Sequence, residues 1–271
     1  MTYVAAIQMT SNQHIDENLL TAEHLIQKAR KLAKLVVLPE NFAIMGLNPM
    51  DKVNVAEEFG EGRIQDFLRD TAKKNHIWLV GGTIPLKDPD NPKKIFAACL
   101  VYNDQGILVA RYDKIHLFDV DLRKHQERHR ESDTITPGNQ IMTLDTPYGK
   151  LGLAICYDLR FPELFRKIQS SGAEIVALPA AFTYITGLAH WDILIRARAI
   201  ENQVYMIASA QTGLHTNQRK TYGHSMIVDP WGEVKGSMSE EVGVICGEVD
   251  LKFLHQLRGD FPVLQHQRLL K

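Results

Sequence analysis

Two short runs, Leu35-Val36-Val37-Leu38 and Ile77-Trp78-Leu79-Val80, are apolar at every position and end at Pro39 and at Gly81-Gly82. A strand sends alternate side chains to opposite faces, so a run without a polar residue needs cover on both faces. That requirement restricts the chain to sheets sandwiched between other layers. Helical stripes supply one layer. Over residues 16–35 apolar side chains recur at Leu19, Leu20, Ala22, Leu25, Ile26, Ala29, Leu32 and Ala33, and over 62–75 at Ile64, Phe67, Leu68 and Ala72. Further strands are predicted at 4–9, 96–102, 107–112, 151–155, 174–178 and 204–210, with helices at 161–170 and 190–202. Asn103-Asp104-Gln105-Gly106 marks a hairpin between the second and third of those strands. The turn Asp229-Pro230-Trp231-Gly232 predicts a closing pair of strands from 224–228 and 242–249.

The segment Ala33-Lys34-Leu35-Val36-Val37-Leu38-Pro39-Glu40-Asn41-Phe42 is echoed by Ala173-Glu174-Ile175-Val176-Ala177-Leu178-Pro179-Ala180-Ala181-Phe182. Two buried strands can resemble each other by chance, but each copy also follows a helix. The repeat predicts a pseudo-symmetric α/β fold, an αββα sandwich of two mixed sheets with outer helices. Nothing reads as a flexible linker, so one domain is expected over 1–271. The copies differ after Leu-Pro, with Glu40 in one and Ala180 in the other. An acid at the end of a buried strand has little structural purpose, and such ends are where α/β sheets place ligands.

Composition excludes several classes. The 271 residues are 45% hydrophobic and 23% charged with a net charge of -1, whereas nucleic-acid binding needs a clustered basic excess. The densest basic stretch, from Arg123 to Arg130, includes Glu127 and reads as a solvated loop or helix face. No apolar run approaches the roughly 20 residues of a membrane span. The start of the chain lacks a basic leader and reads as a buried strand rather than a signal peptide. Three widely spread cysteines favour a reducing cytoplasm over a disulfide framework.

One of those cysteines stands apart. Leu151-Gly152-Leu153-Ala154-Ile155 is a strand, Cys156-Tyr157-Asp158-Leu159-Arg160 a polar turn, and Pro162 suits the first turn of a helix. A strand-to-helix elbow exposes a nucleophile and aims the following backbone N–H groups at a developing oxyanion. Most free cysteines are small buried hydrophobes, and Cys99 and Cys246 are read so. A thiol with a reference pKa of about 8.5 needs a base. None of the eleven histidines is singled out by spacing, but a carboxylate can serve if burial raises its pKa, and Glu40 is best placed. Lys114, just after the second hairpin strand, offers a fixed positive charge for an oxyanion, although strand-end lysines more often face solvent. His125 and His129 share helical spacing, but no third ligand accompanies them, and they are read as incidental.

Leu38-Pro39-Glu40, Tyr112-Asp113-Lys114-Ile115-His116-Leu117 and Gly152-Leu153-Ala154-Ile155-Cys156-Tyr157-Asp158 together resemble the three hallmark motifs of the nitrilase superfamily. The resemblance extends in order over essentially the whole chain, including residues 196–202 and 223–232. It implies a carbon–nitrogen hydrolase with a catalytic Glu40, Lys114 and Cys156 and a supporting second glutamate. Glu131 is the candidate, because the Thr136-Pro137-Gly138 that follows it is similar to the family's pattern; Glu127 is its rival. The resemblance implies no metal, no organic cofactor and a homodimer. Tyr157 to Phe165 looks like the branch that handles small ω-amides, and residues 179–191 together with the Tyr112 to Asp119 stretch are most similar to amidases of deaminated glutathione. That reading implies a small anionic amide substrate, cut into α-ketoglutarate and cysteinylglycine. An ω-amidase acting on α-ketoglutaramate, releasing ammonia, is the alternative. Arg160 is a candidate for a substrate carboxylate, its other reading being a surface arginine. Tyr157, Phe182 and Thr183 are candidate substrate-binding residues, though a phenylalanine like Phe182 is more often core.

Overall fold

The computed structural model describes residues 2–122 and 127–269. Arg123 to Gln126, with His125 of the histidine pair, lie outside the described residues, as does the side chain of Glu127. In the first half, β1 (Thr2–Gln8), α1 (Ile15–Ala29), β2 (Leu35–Val37), the short α2 (Met50–Asn54), α3 (Arg63–Asn75) and β3 (Trp78–Val80) follow in order. The three strands run parallel. Antiparallel strands β4 (Ile84–Lys87), β5 (Ile95–Tyr102) and β6 (Leu108–Asp113) extend this sheet, with β5 pairing β3, β4 and β6. A ribbon of β7 (Asp119–Leu122) and β8 (Glu127–Arg130) comes next.

The second half repeats the plan. After β9 (Thr143–Thr146), strands β10 (Gly149–Leu153), β11 (Ile175–Ala180) and β12 (Tyr205–Ala210) run parallel, with α4 (Pro162–Ser170) and α5 (Tyr184–Asn202) between them. The ribbon β13 (Thr212–Leu214) and β14 (Lys220–Tyr222) leads to β15 (Met226–Val228) and β16 (Val234–Ser237), which finish the second sheet. Strand β17 (Gly243–Val249) then crosses back to pair with β1 along its whole length, and α6 (Leu251–Asp260) follows. In each half a central parallel triplet carries an antiparallel strand on either side. The echoed segments are the middle strands, β2 and β11.

Side-chain alternation builds the layers. Val4, Ala6, Leu35, Val37, Val80 and Tyr112 of the first sheet pack with Leu151, Leu153, Ala177 and Ile207 of the second. Their alternates Ala5, Ile7, Val36 and Leu79 pack instead on Leu25, Ile26, Ile64 and Leu68 of α1 and α3. Burying each such Leu, Ile or Val contributes roughly 1.5–3 kcal/mol, so the wholly apolar strands are fixed from both sides. Helices α4 and α5, through Leu164, Phe165, Trp191 and Ile195, cover the far face of the second sheet.

Three expectations are corrected. Leu20 and Leu32 do not belong to the buried stripe of α1, being 69% and 54% exposed. Leu20 points away from the face formed by Ala22, Leu25, Ile26 and Ala29, and Leu32 lies beyond the helix end. Helix α5 begins at Tyr184, six residues before the predicted start at His190. Thr186 and Gly187 are weak helix formers, and packing overrides their preference. The turn at Asp229–Gly232 exists, with the Asp229 carboxylate accepting from Trp231 and Glu233 N–H, but it joins β15 to β16 and not to β17. Strand β16, Val-Lys-Gly-Ser at a sheet edge, has no apolar pattern to announce it.

Candidate active site

The chemistry-bearing residues meet where strands end. Glu40 follows β2, Lys114 follows β6, Cys156 follows β10, and Ala181 to Thr183 follow β11. Glu131 opens a one-turn 3₁₀ helix after β8. Glu40 and Lys114 are 3% and 1% exposed, and Cys156 is 7% exposed.

Lys114 is the hub. Its Nζ lies 2.8 Å from Glu40 Oε1 and 2.8 Å from Glu131 Oε2. Phe118 N–H donates to the same Glu131 oxygen. Burial alone would lower the lysine's pKa, but Glu131 and then Glu40 outweigh it, so the ammonium is held charged. Burial would likewise raise the Glu131 carboxyl, but Lys114 leads the contacts that hold it down at about 2. The strand end carrying Lys114 is clamped from outside: Gly138 N–H donates to the Lys114 carbonyl, and a Cβ on Gly138 would lie 2.2 Å from the Asp113 oxygen. The glycine of Thr136-Pro137-Gly138 thus permits close approach to Lys114. Glu40 is clamped from the second sheet, where the Gln211 amide donates to its carbonyl.

Cys156 occupies the left-handed region at φ 46° and starts a short 3₁₀ helix, Cys156–Arg160. Few non-glycine residues adopt that conformation, and a nucleophile elbow is one setting where they do. Ala181 N–H points at the sulfur from 3.5 Å. Burial first, then the charge of Glu40, push the thiol well above its usual range, while Lys114 and Ala181 pull the other way. The resting sulfur is therefore a protonated thiol beside a carboxylate, with an ammonium close by. This arrangement suits transfer of the proton as the sulfur attacks, without a standing thiolate. Cys99 lies buried between the sheets, its thiol raised by burial and then by the Asp113 charge, and Cys246 is half-buried in β17, its thiol raised by burial; neither lines the recess described below.

A recess of about 10 Å³ sits over the sulfur, lined by Glu40, Lys114, Glu131, Tyr157, Arg160 and Phe182, with Thr183 and Arg219 at its margin. The Arg160 guanidinium lies over the Phe182 and Tyr157 rings and within 3.2 Å of His190 Nδ1. Phe182 is fixed edge-on against Trp191, and the Thr183 hydroxyl is 2.9 Å from that of Thr186. All eight residues singled out from sequence thus line one recess.

Sequence reasoning passed over three others. Asp158, fully buried, accepts from Tyr112 Oη and Ile155 N–H through one oxygen and from His116 N–H and Nδ1 through the other. It ties the Cys156 elbow to both neighbours of Lys114 on the same strand face. The reasoning that singled out Glu40, an acid just past an apolar strand, applies equally to Asp158. Lys52 and Arg219, also close to the site, carry no pattern that sequence could reveal. Among the described residues no group of His, Cys, Asp and Glu is arranged to hold a metal, and no helix is long and apolar enough to cross a membrane.

Residues 3–259 match the carbon-nitrogen hydrolase family. The deaminated glutathione amidase of Yersinia enterocolitica is 42% identical over 98% of this chain and 93% of its own length. Among solved structures, the NitFhit protein of C. elegans superposes with a TM-score of 0.92 at 41% identity over 98% of this chain; the chain spans 65% of that protein. Nit3 of Saccharomyces cerevisiae, a member of branch 10 of the nitrilase superfamily, superposes with a TM-score of 0.87 at 34% identity, covering 99% and 97% of the two chains.

Proposed function

Because the chain belongs to the carbon-nitrogen hydrolase family and is a hydrolase of amide carbon–nitrogen bonds, we propose that it cleaves deaminated glutathione into α-ketoglutarate and cysteinylglycine through a thioester on Cys156. The observation that carries the mechanism is the joint burial of Cys156, Glu40, Lys114 and Glu131 around one recess. Relatives named for this activity support the substrate.

Glu40 takes the thiol proton as Sγ attacks the amide carbonyl carbon. The carbonyl oxygen becomes an oxyanion, held by the Lys114 ammonium and the Tyr157 N–H. Glu131 shares Lys114 with Glu40 and keeps the ammonium aimed at the recess. Glu40 returns its proton to the leaving nitrogen, the C–N bond breaks, and the amine departs. It then deprotonates a water that attacks the thioester. The second tetrahedral intermediate collapses to the acid, and the sulfur regains its proton. Fixed charges in a water-poor site stabilise both intermediates without reorganising. Arg160 binds the acyl unit's carboxylate above the Phe182 ring, and Thr183 borders the scissile group.

The test is hydrolysis of deaminated glutathione and of α-ketoglutaramate, with intact mass taken after brief exposure to each. Faster cleavage of the dipeptide amide, with an α-ketoglutaryl adduct on Cys156, supports the reading. Preference for α-ketoglutaramate assigns an ω-amidase instead, and an adduct on Cys99 or Cys246 overturns the nucleophile. We further propose one catalytic domain and a homodimer that buries the exposed Leu188, Ile193 and Ile200 of α5.

A further inference from the structure

The recess over Cys156 is too small for a dipeptide. At Glu131, Thr183 and Arg219 it adjoins a cleft of about 520 Å³, within the usual range for small-molecule sites. Lys52, Arg128, Arg130, Arg219 and Lys220 line this cleft, and Glu131 is the one carboxylate among its described lining residues. Glu131 is already engaged by Lys114.

Two of these cations lie close to the reacting groups and, among the described residues, have only neutral hydrogen-bond partners. Lys52 Nζ donates to the Asn41 amide oxygen at 2.6 Å. Arg219 Nη2 donates to the Ala181 carbonyl at 2.6 Å, and its Nε, shielded from solvent, has no hydrogen-bond partner among the described residues. A buried donor left unpaired costs free energy unless a ligand completes it. Burial lowers the Lys52 pKa against the opposing pull of Glu131 and Glu40, so an incoming anion would favour its charged form. Counted formally, Glu40 and Glu131 bring two negative charges, while Lys52, Lys114, Arg160 and Arg219 bring four positive ones. A substrate with two carboxylates balances the site.

We infer that Lys52 and Arg219 form a second carboxylate subsite, which takes the free carboxylate of the amine half of the substrate. Arg160 lines the recess and not the cleft, whereas Lys52 lines the cleft and not the recess. The two carboxylates are thus received separately, with the scissile amide held between them at the sulfur. Arg219, which borders both spaces, also holds the carbonyl of Ala181, whose N–H points at Sγ. Occupation of the cleft is in this way connected to the backbone that positions the nucleophile. The inference rests on the amidase reading and narrows it to dicarboxylates whose leaving amine bears one of the two acids.

The experiment compares kcat/KM for deaminated glutathione and for the same compound with its terminal carboxylate converted to a carboxamide. Wild type is expected to favour the free acid by about tenfold, the worth of one charge-assisted hydrogen bond, chiefly through KM. Lys52→Gln and Arg219→Gln are each expected to bring that ratio below threefold, with Lys52→Arg restoring it. Lys52→Gln leaves the Ala181 contact in place, so a folding defect in the arginine variant does not obscure the result. A wild-type ratio below threefold, or a ratio unchanged in both variants, overturns the subsite alone. Absence of cleavage of either compound above a Cys156→Ala control overturns the deaminated glutathione reading, and the subsite with it.

Discussion

Asp158→Asn tests whether the elbow is held by a carboxylate in particular. Two donors converge on each oxygen of this fully buried side chain: Tyr112 Oη at 2.7 Å and Ile155 N at 2.8 Å on one, His116 Nδ1 at 2.7 Å and His116 N at 3.1 Å on the other. An asparagine has the same shape but one acceptor oxygen, and its NH₂ must face one of the two donor pairs. If it faces His116, the imidazole can change tautomer and accept at Nδ1, but the His116 backbone N–H is orphaned. If it faces Tyr112, the hydroxyl can rotate and accept, but the Ile155 N–H is orphaned. Either way one buried backbone donor is stranded, at roughly 1–3 kcal/mol, and the remaining bonds lose their charge assistance. A loss of about 3 kcal/mol follows, which lowers Tm by roughly 6–10 °C in a chain of this size. Because Tyr112 and His116 flank Lys114, and Ile155 precedes Cys156, the ammonium and the sulfur drift relative to each other. A displacement near 1 Å reduces kcat by about 10²-fold. Thermal melts followed by circular dichroism, with kcat measured well below the melt, read both effects. A variant melting within 1 °C of wild type with kcat within twofold would refute the account of Asp158.

Three other outcomes are expected. Lys114→Gln leaves Glu40 and Glu131 without their shared counter-charge; kcat should fall about 10²–10³-fold, as for loss of one oxyanion donor, with a loss of roughly 3–5 kcal/mol in denaturant unfolding. Glu131 is depressed to about 2 in the folded chain, so its contribution to stability is complete above the ordinary glutamate range, near pH 4.5, and is lost as pH falls towards 2. Urea midpoints measured across that window should fall for wild type and fall less steeply for Glu131→Gln. Gly138→Ala forces a methyl against the Asp113 carbonyl and should cost about 1–3 kcal/mol with a matching loss of kcat; an unchanged melt and rate would remove the clamp on Lys114 from the argument.

Much of this architecture was legible because its strands are buried on both faces. Val36-Val37 and Leu79-Val80 leave no polar residue to confuse the period, and the Leu-Pro echo predicted the repeated plan, its two copies being the middle strands of the two parallel triplets. Elements fixed by tertiary contact were not legible. The first turn of α5, Tyr184 to Gly187, runs through residues with little helical preference, and β16 is a polar edge. Strand β17 chooses its partner in the other sheet, which no local pattern encodes. The same division holds in the site. Glu40, Lys114 and Cys156 sit where a strand visibly stops, whereas Arg219 arrives from the polar loop between β13 and β14 and Lys52 from a five-residue helix. Their place near the sulfur is a property of the assembled layers and not of any segment.

The left-handed backbone of Cys156 sets the interests of stability and reaction against each other at one position. Any residue with a Cβ is strained there by roughly 1–2 kcal/mol, and glycine alone escapes that cost. Cys156→Gly should therefore melt above Cys156→Ala, although it gives up even more side-chain contact. Selection for folding alone would drift towards glycine at position 156, and only turnover holds the thiol there. A chain of this fold that had lost its reaction would be expected to show the loss first at this residue.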